Sequence, residues 1–304
     1  MIYNLITVLG PTACGKTRLA AQLADYFNGE IISADSRQVY KRMNIGTGKD
    51  LHEFFLNGRQ ISYHLIDIVE PEEEFNLFLF TEHFSKAFHS ITEKQKIPFL
   101  TGGTGMYLSS ILQNYQLAKT DFNSKRKNEL EKIQAETLAD LLLSLNPNLH
   151  NTTDLLDKKR LIKAILVAEA NADDEPTGRV KVSSFTIGIQ PDRKILRERI
   201  SERLKLRLQN GMIEEVEQLV AKGITYEKLN YFGLEYRYIA LYLQKKLTYN
   251  DMFQKLRGAI NQFAKRQMTW FKKMEREGVP IYWLCETDLS EAKNLIESKC
   301  LLFR

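Results

Sequence analysis

Two stretches of this chain carry residues whose types and spacing can do chemistry. The first is Gly10-Pro11-Thr12-Ala13-Cys14-Gly15-Lys16-Thr17, which fits the pattern G-x-x-x-x-G-K-[ST]. Glycines in such a turn let successive backbone N–H groups point inward at phosphate oxygens. A helix that starts there adds the favourable end of its dipole. Lys16 supplies a point charge for the terminal phosphate, and the Thr17 hydroxyl can bind Mg²⁺. The pattern is shared with ATP-binding enzymes, so it names a diphosphate or nucleotide site and leaves the reaction open. The second stretch centres on Asp35, which directly follows a short apolar run. A carboxylate beside a bound diphosphate suits a base that takes a proton from a nucleophile. From position alone, a helix cap or an indirect Mg²⁺ partner serves equally well.

A conventional ATPase places a metal-binding acid at the end of an apolar strand. Here the apolar run 97–100 leads into Thr101-Gly102-Gly103-Thr104-Gly105 with no acid, and the only acidic alternative is Asp67 within His64-Leu65-Ile66-Asp67-Ile68. That absence weakens an ATP-hydrolysing reading and leaves small-molecule kinases open.

The elements that must position these residues follow from the hydrophobic periodicity. Residues 4–9, 30–34, 61–69 and 97–100 read as strands, and residues 18–27, 78–94 and 106–113 as helices. Strands alternating with helices of this length predict βαβ units and a parallel sheet. From about 119 to 178 only helical patterns occur, broken at Asn146-Pro147-Asn148 and closed by the polar stretch 171–178. Residues 182–190 read as a further strand, 193–277 as almost continuous helix, and 281–284 as a last strand. The expected fold is α/β: a P-loop-containing parallel-sheet core with a largely helical C-terminal part, residues 1–118 and 179–304, and a helical insertion at 119–178.

Composition bounds the rest. The 304 residues are 43% hydrophobic and 27% charged, ordinary for a globular chain. No apolar run approaches the roughly 18 residues that span a bilayer. The N-terminal residues lack the basic and small-residue pattern of a secretory signal, so the cytoplasm is the expected location. Cys14, Cys285 and Cys300 lie far apart without clustered His, which argues against a disulfide framework or a zinc site. The net charge of +5 is unevenly spread: residues 179–276 hold 21 Lys/Arg against 10 Asp/Glu, a surplus of +11, and the remainder carries −6. Such asymmetry is a reason to expect a polyanionic partner, although solvated lysine-rich helix faces would look the same.

The residue 10–17 loop, then Ile32-Ser33-Ala34-Asp35-Ser36-Arg37-Gln38-Val39-Tyr40 and Met43-Asn44-Ile45-Gly46-Thr47, resemble the opening of the tRNA dimethylallyltransferases, also called tRNA isopentenyltransferases. His64-Leu65-Ile66-Asp67-Ile68, Gly102-Gly103-Thr104-Gly105-Met106-Tyr107 and Ala264-Lys265-Arg266-Gln267-Met268-Thr269-Trp270 follow in the family's order. The resemblance covers nearly the whole chain and is weakest across 119–178 and after 277. It implies transfer of a dimethylallyl group from dimethylallyl diphosphate to the exocyclic amine of an adenosine beside the anticodon of tRNA. Gly10, Pro11, Thr12, Ala13, Cys14, Gly15, Lys16 and Thr17 would hold the diphosphate, with Mg²⁺ on Thr17. Asp35 would be the general base, and Thr17 and Arg203 would neutralise the departing group. The target adenine must leave its stack to react. The resemblance gives Asp35, Ser36, Arg37, Gln38, Thr104, Arg160, Lys265, Arg266 and Gln267 as contacts to the tRNA. Trp270 and Phe271 could offer stacking surface, though helical spacing favours the core.

Departures from the family pattern fall in tRNA-reading regions. This chain reads Gly233-Leu234-Glu235-Tyr236-Arg237 where relatives usually show Gly-Tyr and a basic residue, and Lys159-Arg160-Leu161-Ile162-Lys163 where relatives more often show Gln-Arg and a second Arg. No Cys/His pair follows residue 277, so the expectation is a bacterial-type enzyme without the appended zinc finger of eukaryotic relatives. A monomer is expected. Two other readings compete: a prenyltransferase acting on free adenine nucleotides, and a P-loop kinase or nucleic-acid-binding ATPase.

Overall fold

The apolar runs of the first hundred residues, with two later ones, form a single parallel sheet. The computed structural model describes residues 2–115, 117, 119–122, 125–147, 157–173, 180–299 and 301–302. Its central strands are β1 (Leu5–Leu9), β2 (Gly29–Ala34), β3 (Tyr63–His64), β4 (Ile97–Gly102), β5 (Ser184–Ile189) and β6 (Ile281–Leu284). They lie in the order β3-β2-β4-β1-β5-β6, with every neighbouring pair parallel. All five residues of β1 are buried, as a parallel strand covered on both faces requires.

Side chains alternate across the sheet with the period-two rule. Leu5, Leu9, Ile32, Ala34 and Leu100 face one core, which is closed by α2 (Leu77–Glu93), α3 (Gly105–Leu112), α7 (Arg193–Gln209), α8 (Met212–Ala221), α9 (Tyr226–Tyr231), α10 (Leu234–Leu243) and α11 (Tyr249–Arg276). Ile6, Val8, Ile31, Phe99, Phe185 and Ile187 face the other, closed by α1 (Lys16–Tyr26) and α12 (Leu289–Lys299). Thr225 and Thr248 cap α9 and α11 by accepting the N–H of Lys228 and of Asp251, each at 3.2 Å, which satisfies otherwise unpaired helix N-termini.

One expectation from the sequence needs correction. Of residues 61–69, only Tyr63–His64 is strand. Leu65 and Asp67 adopt positive φ (64° and 55°), and the amides of Asp67 and Ile68 turn to the carbonyls of Gln38 and Val39 instead of continuing the ladder. The span 193–277, almost continuously helical as expected, is divided into five helices. Three of its breaks fall at Gly211, Gly223 and Gly233, all with positive φ (95°, 96°, 124°), a conformation that favours glycine. Helix α12 was not legible, because its apolar positions are few: only Ala292 and Ile296 are buried.

The chain divides into two compact units, residues 1–114 with 180–304, and residues 115–179. The sequence placed these boundaries at 119 and 178. The smaller unit contains α4 (Lys125–Leu130), α5 (Ala135–Leu145) and α6 (Lys158–Asp173), with its own core of Leu130, Leu138, Leu142, Leu161, Ile162, Ile165 and Leu166. Asn148 of the expected break and most of the stretch 171–178 lie outside the described residues. Among the described residues, no helix is long and apolar enough to cross a membrane.

Candidate active site

Sheet register brings the chemistry-bearing loops together. Gly102 pairs with Leu9 on one side and with Ala34 on the other. The segments that follow these three strand ends, starting at Gly10, Asp35 and Gly103, therefore emerge side by side at the carboxyl edge. In an open parallel sheet this edge is where ligands bind. A Cβ on Gly102 would collide with the Ala34 carbonyl, so only glycine permits this approach. The resulting cavity is about 830 Å³.

The residue 10–17 loop wraps one wall. Ala13 and Gly15 take positive φ (64° and 86°), and Gly15 stands as the N-cap of α1. Thr12, Ala13, Gly15, Lys16 and Thr17 line the cavity, whereas Gly10, Pro11 and Cys14 are buried behind it. Lys16 Nζ donates to the Pro11 carbonyl at 3.3 Å, so its ammonium lies over its own loop. Burial pushes the Cys14 thiol up in pKa, against the opposing pull of Lys16. Among the described residues, no group of three or more His, Cys, Asp or Glu side chains could hold a metal by itself. The Thr17 side chain is part of the cavity lining, and a hydroxyl oxygen is chemically suited to a hard cation such as Mg²⁺.

Asp35 begins the turn after β2, where its Oδ1 accepts the amide N–H of Arg37 at 2.9 Å. Thr104 ties this turn to the second glycine loop: its amide donates to the Ala34 carbonyl at 3.2 Å, and its Oγ1 accepts the Ser36 N–H at 3.1 Å. Asp35, Ser36, Arg37, Gln38 and Thr104 all line the cavity. The Arg37 guanidinium lies 4.9 Å from the centre of the Tyr231 ring, a cation–π contact that orients it. Gln38 accepts from Ser33 Oγ at 3.1 Å and donates to the Gly48 carbonyl at 3.0 Å. Asp67, the one acidic alternative for a metal, is instead paired with the buried Lys49 ammonium. Burial lowers the Lys49 pKa, and Asp67 opposes that shift.

The opposite wall comes from α7, α10 and α11. Arg203 Nη2 donates to Thr12 Oγ1, so it reaches the loop itself. Its pKa is lowered to about 10, first by burial and then by its neighbour Arg207. Gln267 accepts the Thr12 N–H at 2.8 Å and donates to the Gly103 carbonyl at 2.8 Å, clamping the two glycine loops together. It is only 7% exposed. Arg266 also lines the cavity, while Lys265 is exposed and outside the lining. Arg160 is exposed on α6 in the smaller unit. Trp270 is a packing residue: its indole N–H donates to Ser109 Oγ at 2.8 Å, and its ring occupies the space a Gly105 side chain would need. Phe271 is fully buried.

Charged groups to which the sequence assigned no role include Arg207 and Glu235 in the cavity lining, and Glu215, which braces a nearby turn. Arg207 follows Arg203 by one helical turn and donates to Asp50 Oδ2 at 3.1 Å. Glu235, on α10, lines the same cavity, and burial pushes its pKa up against the pull of Arg207 and Arg203. Glu215 accepts the amides of Asn44, Ile45 and Gly46 at 2.7, 2.8 and 3.0 Å and the Tyr236 hydroxyl at 2.7 Å, which fixes the 44–46 turn. The i, i+4 spacing of the two arginines was the available signal for Arg207.

Comparison with known proteins gives concordant matches. A family model described as IPP transferase matches residues 38–274, and one described as isopentenyl transferase matches residues 3–70. The chain is 53% identical to tRNA dimethylallyltransferase 1 of Geotalea daltonii over 93% of its length and 91% of that protein. It is similar to the solved full-length tRNA isopentenylpyrophosphate transferase of Bacillus halodurans, with TM-score 0.69 and 28% identity over 98% and 96% of the two chains. A eukaryotic dimethylallyltransferase acting on tRNA shares the fold, with TM-score 0.75 and 24% identity over 96% of this chain and 78% of that one.

Proposed function

Because the chain belongs to the IPP transferase family, among the tRNA dimethylallyltransferases, we propose that it transfers a dimethylallyl group from dimethylallyl diphosphate to the exocyclic amine of an adenosine beside the anticodon of tRNA. The observation that carries this reading is the abutment of the residue 10–17 loop, Asp35 and Arg203 in one cleft.

The diphosphate lies against the backbone of the residue 10–17 loop and the Lys16 ammonium, with Arg203 closing over Thr12. An allylic carbon tolerates positive charge, so C–O cleavage depends chiefly on neutralising the departing diphosphate. Lys16 and Arg203 provide fixed positive charge for that purpose. Bound through Thr17, Mg²⁺ would add Lewis-acid neutralisation of the same oxygens. The adenine amine forms the new C–N bond, and its proton passes to the Asp35 carboxylate, which the Arg37 amide holds in orientation. Ser36, Arg37, Gln38 and Thr104 border the place where the extruded nucleotide enters. Lys265, Arg266 and Gln267 are further proposed tRNA contacts of the larger unit, Gln267 through the loops it clamps, and Arg160 is one of the smaller unit. The basic surplus between 179 and 276 supplies attraction for the phosphate backbone. The reaction belongs to the cytoplasm, where its tRNA and prenyl diphosphate substrates would meet, and a monomer suffices for it.

Radiolabelled dimethylallyl diphosphate with Mg²⁺, offered unmodified tRNA and adenosine monophosphate separately, tests the reading. Label in tRNA alone is expected. Label in the mononucleotide would move the acceptor to free nucleotides, and ATP hydrolysis without any transfer would overturn the assignment.

A further inference from the structure

Arg203 and Arg207 stand one turn apart on α7, so both guanidinium groups emerge on one face and line one cavity. Two like charges this close and this shielded from water repel each other, as the effect of Arg207 on the acidity of Arg203 records. The fold supplies two anions against them. Asp50 takes Arg207 directly at 3.1 Å, and the Arg207 guanidinium occupies the space beside Gly48 that a side chain there would need. Glu235 sits in the first turn of α10, lines the same cavity, and interacts electrostatically with both arginines. Its Oε2 and Arg37 Nε each lie 3.9 Å from the position a Cβ on Gly233 would take, and all three residues line the cleft.

We propose that Glu235 is an internal counter-anion of the Arg203–Arg207 pair that competes with the diphosphate for these arginines and hastens its release after transfer. This rests on the reading that the residue 10–17 loop holds a diphosphate. An enzyme that gathers Lys16, Arg203 and Arg207 around a leaving group risks retaining that group once the C–O bond has broken. A carboxylate within the same cleft lowers affinity for any polyanion there and gives the arginines a partner as it departs. Burial disfavours the charged form of Glu235, and Arg207 and Arg203 favour it. Glu235 touches neither amine nor carbon in this account; it is a positioning residue that acts through the arginines.

The test measures binding of inorganic pyrophosphate, at fixed Mg²⁺, pH 8 and low salt, to the full chain, three single variants and their combinations. Glu235→Gln removes one like charge at close range, so its Kd should fall by about 3- to 30-fold, and less at high salt. Pyrophosphate should then inhibit transfer at correspondingly lower concentration. Arg207→Gln should weaken pyrophosphate binding and shrink the gain from Glu235→Gln to less than about twofold when the two are combined. Lys16→Ala is the control for the underlying reading and should weaken binding in every background. If Glu235→Gln binds pyrophosphate equally or less tightly while Lys16→Ala still weakens binding, the counter-anion role is overturned and the diphosphate site stands. Arg207→Gln with unchanged or tighter binding would overturn it as well, whatever the stability of Glu235→Gln. If Lys16→Ala leaves binding unchanged, the diphosphate reading of the loop falls and takes the proposal with it.

Discussion

As the proposed general base, Asp35 depends on one backbone contact. With Oδ1 held by the Arg37 amide, the carboxylate keeps a fixed plane against the cleft and needs no other side chain to aim it. The base and the tRNA contacts are therefore separable. Asp35→Ala is expected to lower single-turnover transfer by about 10²–10⁴ while tRNA affinity changes only a few-fold; lost tRNA affinity with normal transfer would reverse that assignment. At the other end of β2, Glu30 shows what a structural carboxylate looks like. It is 1% exposed and bonded to His64 Nε2 at 2.8 Å and Lys96 at 2.9 Å, with Lys94 at 3.3 Å. Burial opposes its charge, but the bonds from Lys96 and His64 outweigh that and hold its pKa near about 2, below the ordinary 4.5. Because the folded value is depressed, its stabilisation is complete above pH 4.5 and is lost as pH falls toward 2. Glu30→Gln should cost about 1–3 kcal/mol at pH 7, the lysines being partly screened by solvent. Denaturant titration at pH 7 and pH 3 should show the gap closing at the lower pH, and an equal loss at both would locate the effect in packing.

At the scale of elements, α11 shows both what the pattern of the chain reveals and what it conceals. Its buried positions, Met252, Leu256, Ile260, Ala264, Gln267, Phe271 and Met274, recur every three or four residues, and Gln267 is the one polar member of that stripe. Spacing alone therefore places it on the core face, where its amide joins the loops after β1 and β4. Gln267→Leu keeps the volume but strands the Thr12 N–H and the Gly103 carbonyl, at about 1–3 kcal/mol each. A melting temperature lower by several degrees and weaker pyrophosphate binding are expected; unchanged pyrophosphate affinity would mean that the clamp does not shape the loop. The strands and their terminal loops were legible for a local reason: a parallel strand buried on both faces is a short apolar run ended by Gly or Asp. Residues 61–69 look the same in sequence, yet pairing with the 38–39 backbone bends them after His64. Arg207, Glu235 and Lys49 stayed hidden because their meaning is not local. Each reads as one more charge on a solvated helix or loop until the fold sets it against Asp50, Arg203 or Asp67.

At the scale of the molecule, the smaller unit is inserted in a way that makes it removable. Its residues 115–179 leave after Asn114 and return at Val180, and the Val182 N–H lies 3.5 Å from Asn114 Oδ1. The two cut ends of the larger unit are thus already neighbours, so a short Gly/Ser linker can join them at little closure cost. The larger unit keeps its whole sheet, both its cores and every lining residue of the cleft. The smaller unit closes a separate leucine-rich core, and neither core cluster of the larger unit includes a residue of it. The joined chain should therefore fold, melt within a few degrees of the parent and bind pyrophosphate within about threefold. Its tRNA affinity should drop at least tenfold, because the proposed contacts around Arg160 are gone while those of α11 remain. Each lost phosphate contact also lowers the dependence of log K on log salt by nearly one unit. A shallower slope identifies electrostatic contacts in the insertion, whereas full tRNA affinity with the parent slope would show that the larger unit binds the tRNA by itself.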